Sequence, residues 1–477
     1  MLQLNFTSGL VHHEINRGTS LFIILISVLI SVLLINYLLL GIAAVIISSL
    51  VYLYGERFLI GLIIVTLLSV VSDFGSDIRL LVQLIDFSLL GFLFIKKYGL
   101  DFTSYPKLPK SIIYFILFYY FSMIIATIFS DYFFAGMEKI IRQSVFFIVA
   151  YIFYSFIKKL EDIKVYLIAL IVVSLILAVS SIYKLFSAGF NLFDFELGKR
   201  FVVSSIISNV DTTSAFFILT LPLVIIFTVS KKYKNIRPQL ISIAVILILG
   251  TFLALSRSAI LAMAFSLLFI FFYLRKDWFI KVIIYSIIAI GVIILFEPLF
   301  EFAKVVFRLE FGMSQRNHLW NLAVNIINVN PILGIGPGAY RYVEFNYFPV
   351  LLNSWVGHYL TDLNLATGGA NNSHNLLLKF ATDMGIPGIM SVFYLLIVFF
   401  NIAIQTIKKA VNGRQELYLV VLALSAALGS MFIRNIFDSI GILTYGYLTN
   451  DLPFWLWFGV LIFFYQKPKE YFPTESP

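Results

Sequence analysis

Long apolar runs separated by short polar breaks dominate the chain. The runs LFIILISVLISVLLI at 21–35 and SIIYFILFYYFSMIIATIF at 111–129 approach or reach the ~20 residues a helix needs to cross a bilayer. Lipid offers no partner for a bare backbone N–H, so a spanning segment must be a helix or part of a closed barrel. Neither run alternates with the period of two that a barrel strand requires, so the pattern predicts helices. Read along the whole chain, it predicts about 14 transmembrane helices, near 21–35, 38–54, 58–72, 79–95, 111–130, 139–157, 164–186, 210–229, 239–255, 258–274, 279–296, 386–406, 416–432 and 452–466.

The polar breaks alternate in charge. Lys96, Lys97, Lys107 and Lys110 share one predicted side with Lys158, Lys159 and Lys164, with Lys231, Lys232, Lys234 and Arg237, with Arg275, Lys276 and Lys281, and with Lys408, Lys409 and Arg414. The intervening breaks carry Asp73 and Asp77, Asp131 and Glu138, and Asp194 and Glu196. By the positive-inside rule the basic side is cytoplasmic, which predicts both termini inside. A missed span would invert every later cluster, so the agreement tests the count. The expected fold is all-α: a single membrane domain over 1–477, N-in/C-in, with one large helical periplasmic loop at 297–380 inserted between membrane helices. That loop far exceeds the few residues usual between bundled helices. Its aromatics, Trp320, Tyr340, Tyr342, Tyr347, Phe348 and Trp355, predict a folded segment rather than a disordered one.

Composition removes the competing classes. The 477 residues are 61% hydrophobic and 12% charged, and the mean hydropathy of +0.98 lies far above that of soluble domains. A net charge of +9 would suit a nucleic-acid partner, but the cations fall in short clusters between apolar runs and read as topology signals instead. With no cysteine there is no disulfide, thiolate nucleophile or Cys-based metal site. The first run lacks a small-residue cleavage site and is expected to be a span rather than a removable signal.

Three segments carry candidate chemistry. In ILILGTFLALSRSAILAMAF, Arg257 interrupts two apolar stretches. A charge near membrane depth costs at least ~2.5 kcal/mol unless it snorkels or finds a partner, and an outward-facing arginine runs against the charge bias seen elsewhere. In SQRNHLWNLAVNIINVNPILGIGPGAY, the apolar positions Leu319, Leu322, Ala323, Ile326 and Ile327 recur at helical spacing, Ser314 is a plausible N-cap and Asn330 with Pro331 ends the helix. Arg316 then sits in the first turn, where the helix dipole disfavours a cation; it would either bind an external anion or pair with a carboxylate such as Glu310. The run Gly334, Gly336, Pro337, Gly338 reads as a turn rather than a phosphate cradle. In NNSHNLLLKFATDMGIPG, Asn372 or Ser373 would cap a helix beginning at His374, which Gly385 to Gly388 interrupts. There the dipole would keep the imidazole neutral and available as a base, the alternative being a capping or packing histidine. His318 and His358 compete for the same role. Asp86 and Asp211 are the other charges near spans, Asp86 being either part of a proton path or a hydrogen-bonded structural acid.

In order and spacing these elements resemble the O-antigen ligase and polymerase superfamily of bacterial membrane glycosyltransferases. The matching residues are Ser256, Arg257 and Ser258 after Thr251; Arg316 and Trp320 with Pro331 to Tyr340; and His374 and Asn375 with Gly385 to Gly388. The resemblance covers roughly 200–405, and departs where Leu255 stands in a place often held by Thr. It implies a GT-C-like enzyme of the inner membrane, without metal or other cofactor. Such an enzyme moves a glycan from an undecaprenyl-pyrophosphate carrier to a hydroxyl of a second glycan, or of a lipid A core, at the periplasmic face with inversion. It assigns His374 as the base and Arg257 and Arg316 to the pyrophosphate, with Arg200, Arg308, Arg341, Asn375 and Trp320 as further substrate contacts. Ligation and polymerisation share these parts, and the span count tilts toward polymerisation. A polysaccharide flippase using Asp86 and Arg142 is the alternative from another class; it leaves the large loop without a role. A non-catalytic membrane scaffold is the remaining reading.

Overall fold

The computed structural model describes residues 55–69, 76–187, 209–254, 256–307, 316–343, 372–411, 413 and 415–467. No strand occurs among them. Residues 55–69 form α1, followed by α2 (Ser76–Tyr98), α3 (Lys110–Ile128), α4 (Phe133–Phe156), α5 (Leu160–Ser187), α6 (Val210–Val229) and α7 (Arg237–Leu253). Then come α8 (Arg257–Leu274), α9 (Lys276–Leu295), α10 (Glu297–Phe307), α11 (Arg316–Val329), α12 (Leu376–Val411), α13 (Gln415–Arg434) and α14 (Leu448–Gln466). Among the described residues nine helices are long and apolar enough to cross a membrane, which makes this a polytopic helical membrane protein. The expected spans at 21–35 and 38–54 lie outside the described residues.

Helices α6, α13 and α14 form the centre. They are buried on nearly every face, as expected of helices apolar all round, and α6 packs on α5, α7, α8 and α13. Around them α3 packs on α4 and α12, and α14 on α4, α12 and α13. Helix α9 is the opposite case, touching α8 and α10 and leaving Ile284, Ile287, Ile288 and Ile294 exposed. An apolar surface of that kind suits lipid rather than water.

At one end of the bundle Gln466 donates to the Lys107 carbonyl and Lys467 to the Lys158 carbonyl, and where α6 ends and α13 begins Lys232 pairs with Glu416 at 2.9 Å. The opposite end gathers the starts of α4, α6, α8, α12 and α14 with the end of α13, through contacts among Asp211, Ser256, Arg434, Arg142 and Gly446.

The α12 helix is broken. Gly385 adopts φ 62° and ψ −147°, a conformation nearly reserved for glycine, and Pro387 follows. The break frees carbonyls that need donors. The turn after α11 supplies them: Ile335 N–H donates to Thr382 O at 2.8 Å and Gly336 N–H to Asp383 O at 3.0 Å, while Ile386 N–H donates to Pro331 O at 3.1 Å. Gly334, Gly336 and Gly338 all have positive φ, as the turn reading expects. A Cβ at Gly334 would meet the backbone of Thr382 and Asp383, and one at Gly385 would meet the backbone of Ile332. Gly334 and Gly385 therefore serve one contact between two main chains.

Candidate functional site

His374 lies just before α12, not inside its first turn. Its φ is 49°, a left-handed conformation incompatible with helix, and the α12 cap is Asn375, whose Oδ1 accepts from Leu378 N–H at 3.0 Å. The expectation that Asn372 or Ser373 caps a helix starting at His374 is thus corrected. Asn372 instead folds the chain back, its Oδ1 accepting from His374 N–H at 2.8 Å and from Ser439 Oγ at 2.6 Å. The imidazole therefore does not sit in a first helical turn, and a buried aspartate lies beside it.

That aspartate is Asp438, in the segment 435–447 between α13 and α14. Asp438 is fully buried, and its Oδ1 lies 3.7 Å from His374 Nδ1. Its Oδ2 accepts from Arg434 Nη2 at 2.7 Å, and Arg434 is itself wholly buried. Burial alone would push the Asp438 carboxyl up, but the Arg434 guanidinium and the His374 side chain outweigh it and hold it down at about 2. Arg434 also donates to the carbonyls of Ile440 at 3.0 Å and Asp211 at 2.6 Å. Asp211 Oδ1 in turn accepts from Ser256 Oγ at 3.3 Å. Asn209 caps α6 and holds Asp211 in its first turn.

This network leads from His374 to Arg257, the first residue of α8 and the neighbour of Ser256. Arg257 is half-buried and close enough to Arg316 for their like charges to repel. Arg316 is the first residue of α11, so both guanidiniums sit at the positive ends of their helices, where an anion is favoured twice over. Helix α11 buries Leu319, Leu322, Ala323 and Ile326, the expected face, and packs on α12. Its Trp320 stacks on Phe437 with centroids 6.5 Å apart, one residue from Asp438.

The remaining candidates divide. Arg341 is exposed on a one-turn helix, Tyr340–Val343, beyond the glycine turn. Asn375 spends its amide on structure, capping α12 and donating to Ile436 O at 2.8 Å. Arg200, Arg308, His358 and Glu310 lie outside the described residues, as do Ser314 and the aromatics beyond Val343. Asp86 is buried on α2 and accepts from Thr66 Oγ1 at 2.8 Å, the hydrogen-bonded structural alternative. Sequence reasoning missed Arg434 and Asp438. Their trace was a cation and an acid four residues apart at the outer end of a predicted span, a helical spacing that makes ion pairs.

The bundle and its end-on charge network define a polytopic membrane protein with a polar centre at one end of its helices. Residues 242–393 match the family model described as O-antigen ligase. The match supports the O-antigen ligase and polymerase superfamily for this chain, and with it a glycan-transferring membrane enzyme of polysaccharide biosynthesis. It takes in Arg257, Arg316, Trp320, Arg341, His374 and Asn375 and covers less than half of the chain. No curated protein matches.

Proposed function

We propose that this chain transfers a glycan from an undecaprenyl-pyrophosphate carrier to a hydroxyl of an acceptor glycan at the periplasmic face of a bacterial inner membrane. The observation that carries the reading is the run of contacts from His374 through Asp438, Arg434 and Asp211 to Ser256, the chain neighbour of Arg257, with Arg316 within electrostatic range of Arg257. It supports one site with a base at one side and two guanidiniums at the other. The site end is opposite the basic clusters, which favours an outward-facing centre.

In this reading Arg257 and Arg316 bind the pyrophosphate. Guanidinium stays charged at any relevant pH and forks onto two phosphate oxygens, so it stabilises the charge growing on the leaving group. His374 accepts the proton of the acceptor hydroxyl through the nitrogen facing away from Asp438. The hydroxyl oxygen forms the new bond to the anomeric carbon as the bond from that carbon to the phosphate oxygen breaks. Its electron pair leaves with undecaprenyl pyrophosphate, and the configuration inverts. Asp438 orients the imidazole and stabilises the imidazolium, and Arg434 keeps Asp438 ionised, the base and orienter logic of a catalytic triad.

The test is transfer in vitro by purified protein from a lipid-linked donor, with and without a lipid A core. Consumption of the core identifies a ligase, and growth of the glycan without it a polymerase. His374→Ala should insert at normal abundance and lose transfer; full turnover by that variant removes the base assignment.

A further inference from the structure

A second polar group lies at the same end of the bundle, on α4 and the one-turn helix after the glycine turn. Glu138 is surrounded by cations: Lys139 Nζ lies 3.3 Å from its Oε1, Arg142 Nη2 contacts the same oxygen, and Arg341 is within electrostatic range. Three positive groups thus crowd this carboxylate at the end of the molecule remote from the lysine clusters, and of them Lys139 also lies within electrostatic range of the buried Asp383. An excess of cations there is not explained by topology. Beside it Tyr132 and Tyr342 stack with centroids 5.0 Å apart and planes 10° from parallel, and Tyr342 remains 43% exposed. The Arg341 guanidinium sits 4.6 Å from the Tyr342 ring centroid and donates to the Tyr342 hydroxyl. Arg142 lies 4.5 Å from the ring of Tyr447, which is also exposed. The patch joins the rest of the site end: a Cβ at Gly338 would strike Lys139, and one at Gly446 would strike Arg142.

Flat aromatic surface next to surplus guanidinium is suited to a sugar ring carrying a negative group. The ring's apolar face lies on tyrosine, and the acid is forked by arginine. We propose that Arg142, Arg341 and the Tyr132–Tyr342 pair form a saccharide subsite selective for an acidic sugar residue, bearing a carboxylate or a phosphate. In the setting of the proposed transferase, on which this extension rests, the subsite holds part of the growing or accepting glycan away from His374. It would make an anionic polysaccharide the preferred substrate class.

The experiment measures binding to the full-length protein in nanodiscs at low salt, without donor lipid. Tetragalacturonate is compared with maltotetraose, and glucose 6-phosphate with glucose. At least one acidic probe should bind about tenfold tighter than its neutral counterpart, the worth of one charge-assisted hydrogen bond. The pair that shows the preference tells carboxylate from phosphate. Arg341→Gln, at an exposed position, should keep the wild-type melting temperature and abolish the preference, and Tyr342→Ala should weaken both members of the pair. Equal binding of acidic and neutral probes, or a preference that survives Arg341→Gln, overturns the subsite. His374→Ala should bind as wild type does. Retained binding with no transfer by the wild-type enzyme would fault the transferase reading alone, and active transfer without acid selectivity would fault the subsite alone.

Discussion

Replacing Asp438 by Asn keeps the shape of the side chain and removes its charge, so it isolates what the carboxylate does for His374. Across 3.7 Å, two unit charges attract by ~1 kcal/mol in water and ~4 kcal/mol at an effective dielectric constant of about 20. The carboxylate is fully buried, but the imidazole keeps 37% of its surface exposed. Solvent screening therefore places the stabilisation of an imidazolium in the lower part of that range, ~1–2 kcal/mol. If His374 takes the acceptor proton in the transition state, kcat falls about five- to thirty-fold in Asp438→Asn, while KM for the lipid-linked donor, bound at the arginines, changes little. A stability effect accompanies it. Arg434 is wholly buried and loses an ionic partner at 2.7 Å, though the amide oxygen and the carbonyls of Asp211 and Ile440 still accept from it. A loss of ~1–3 kcal/mol is expected, the range for a compromised buried hydrogen bond to a charged group. The assay is transfer from purified donor at a temperature well below the variant's melting point, with melting followed separately in detergent. A stably inserted Asp438→Asn with unaltered kcat would refute the orienting role and leave the aspartate a structural partner of Arg434.

The remaining predictions follow from other contacts. Arg316→Lys should lose most of its transfer activity at saturating acceptor, because an ammonium cannot fork onto two phosphate oxygens; donor binding by isothermal titration equal to wild type would count against pyrophosphate contact. Gly385→Ala places a Cβ against the Ile332 backbone at a φ of 62°, and should cost at least ~1–3 kcal/mol, read as a lower melting temperature and poor yield. The Asp438 carboxyl, held below its unfolded value near ~3.9, contributes stability that is present above that value. The contribution is lost as pH falls toward about 2. Melting temperature against pH should thus fall less steeply on the acid side in Asp438→Asn than in wild type.

Much of the fold was legible because lipid imposes one rule on every segment. A run such as 210–229 coincides with α6, and 416–432 falls within α13; an apolar stretch of that length has no other way to satisfy its backbone. The ends were harder, since α12 reaches ten residues further out than the predicted 386–406 span. Its first turns carry Lys379 and Asp383, whose charges break an apolar run although both are buried in the fold. Lys379 Nζ donates to Leu443 O at 3.1 Å and Asp383 accepts from Tyr445 at 2.6 Å, partners more than sixty positions away. The site was legible where a residue is costly in its own segment. Arg257 and Arg316 announce themselves as cations at helix starts. Asp438 does not, because what singles it out is a neighbour, His374, sixty-four positions earlier, and no local pattern encodes that meeting. The conformation of His374 was hidden for a related reason. The Asn372 side chain, itself held by Ser439 from across the fold, keeps it outside the helix.

The join between the glycine turn and the broken helix bears on how the protein is made. The carbonyls of Thr382 and Asp383 take their donors from Ile335 and Gly336, because Ile386 N–H turns to Pro331 O and Pro387 has no N–H to offer. The later half of α12 is apolar enough to enter a bilayer by itself, but its first turns are completed only when the preceding stretch has folded over them. Synthesis from the N-terminus delivers these pieces in the workable sequence. A chain permuted so that α12 emerged ahead of residues 331–338 would present those carbonyls before their donors had been made.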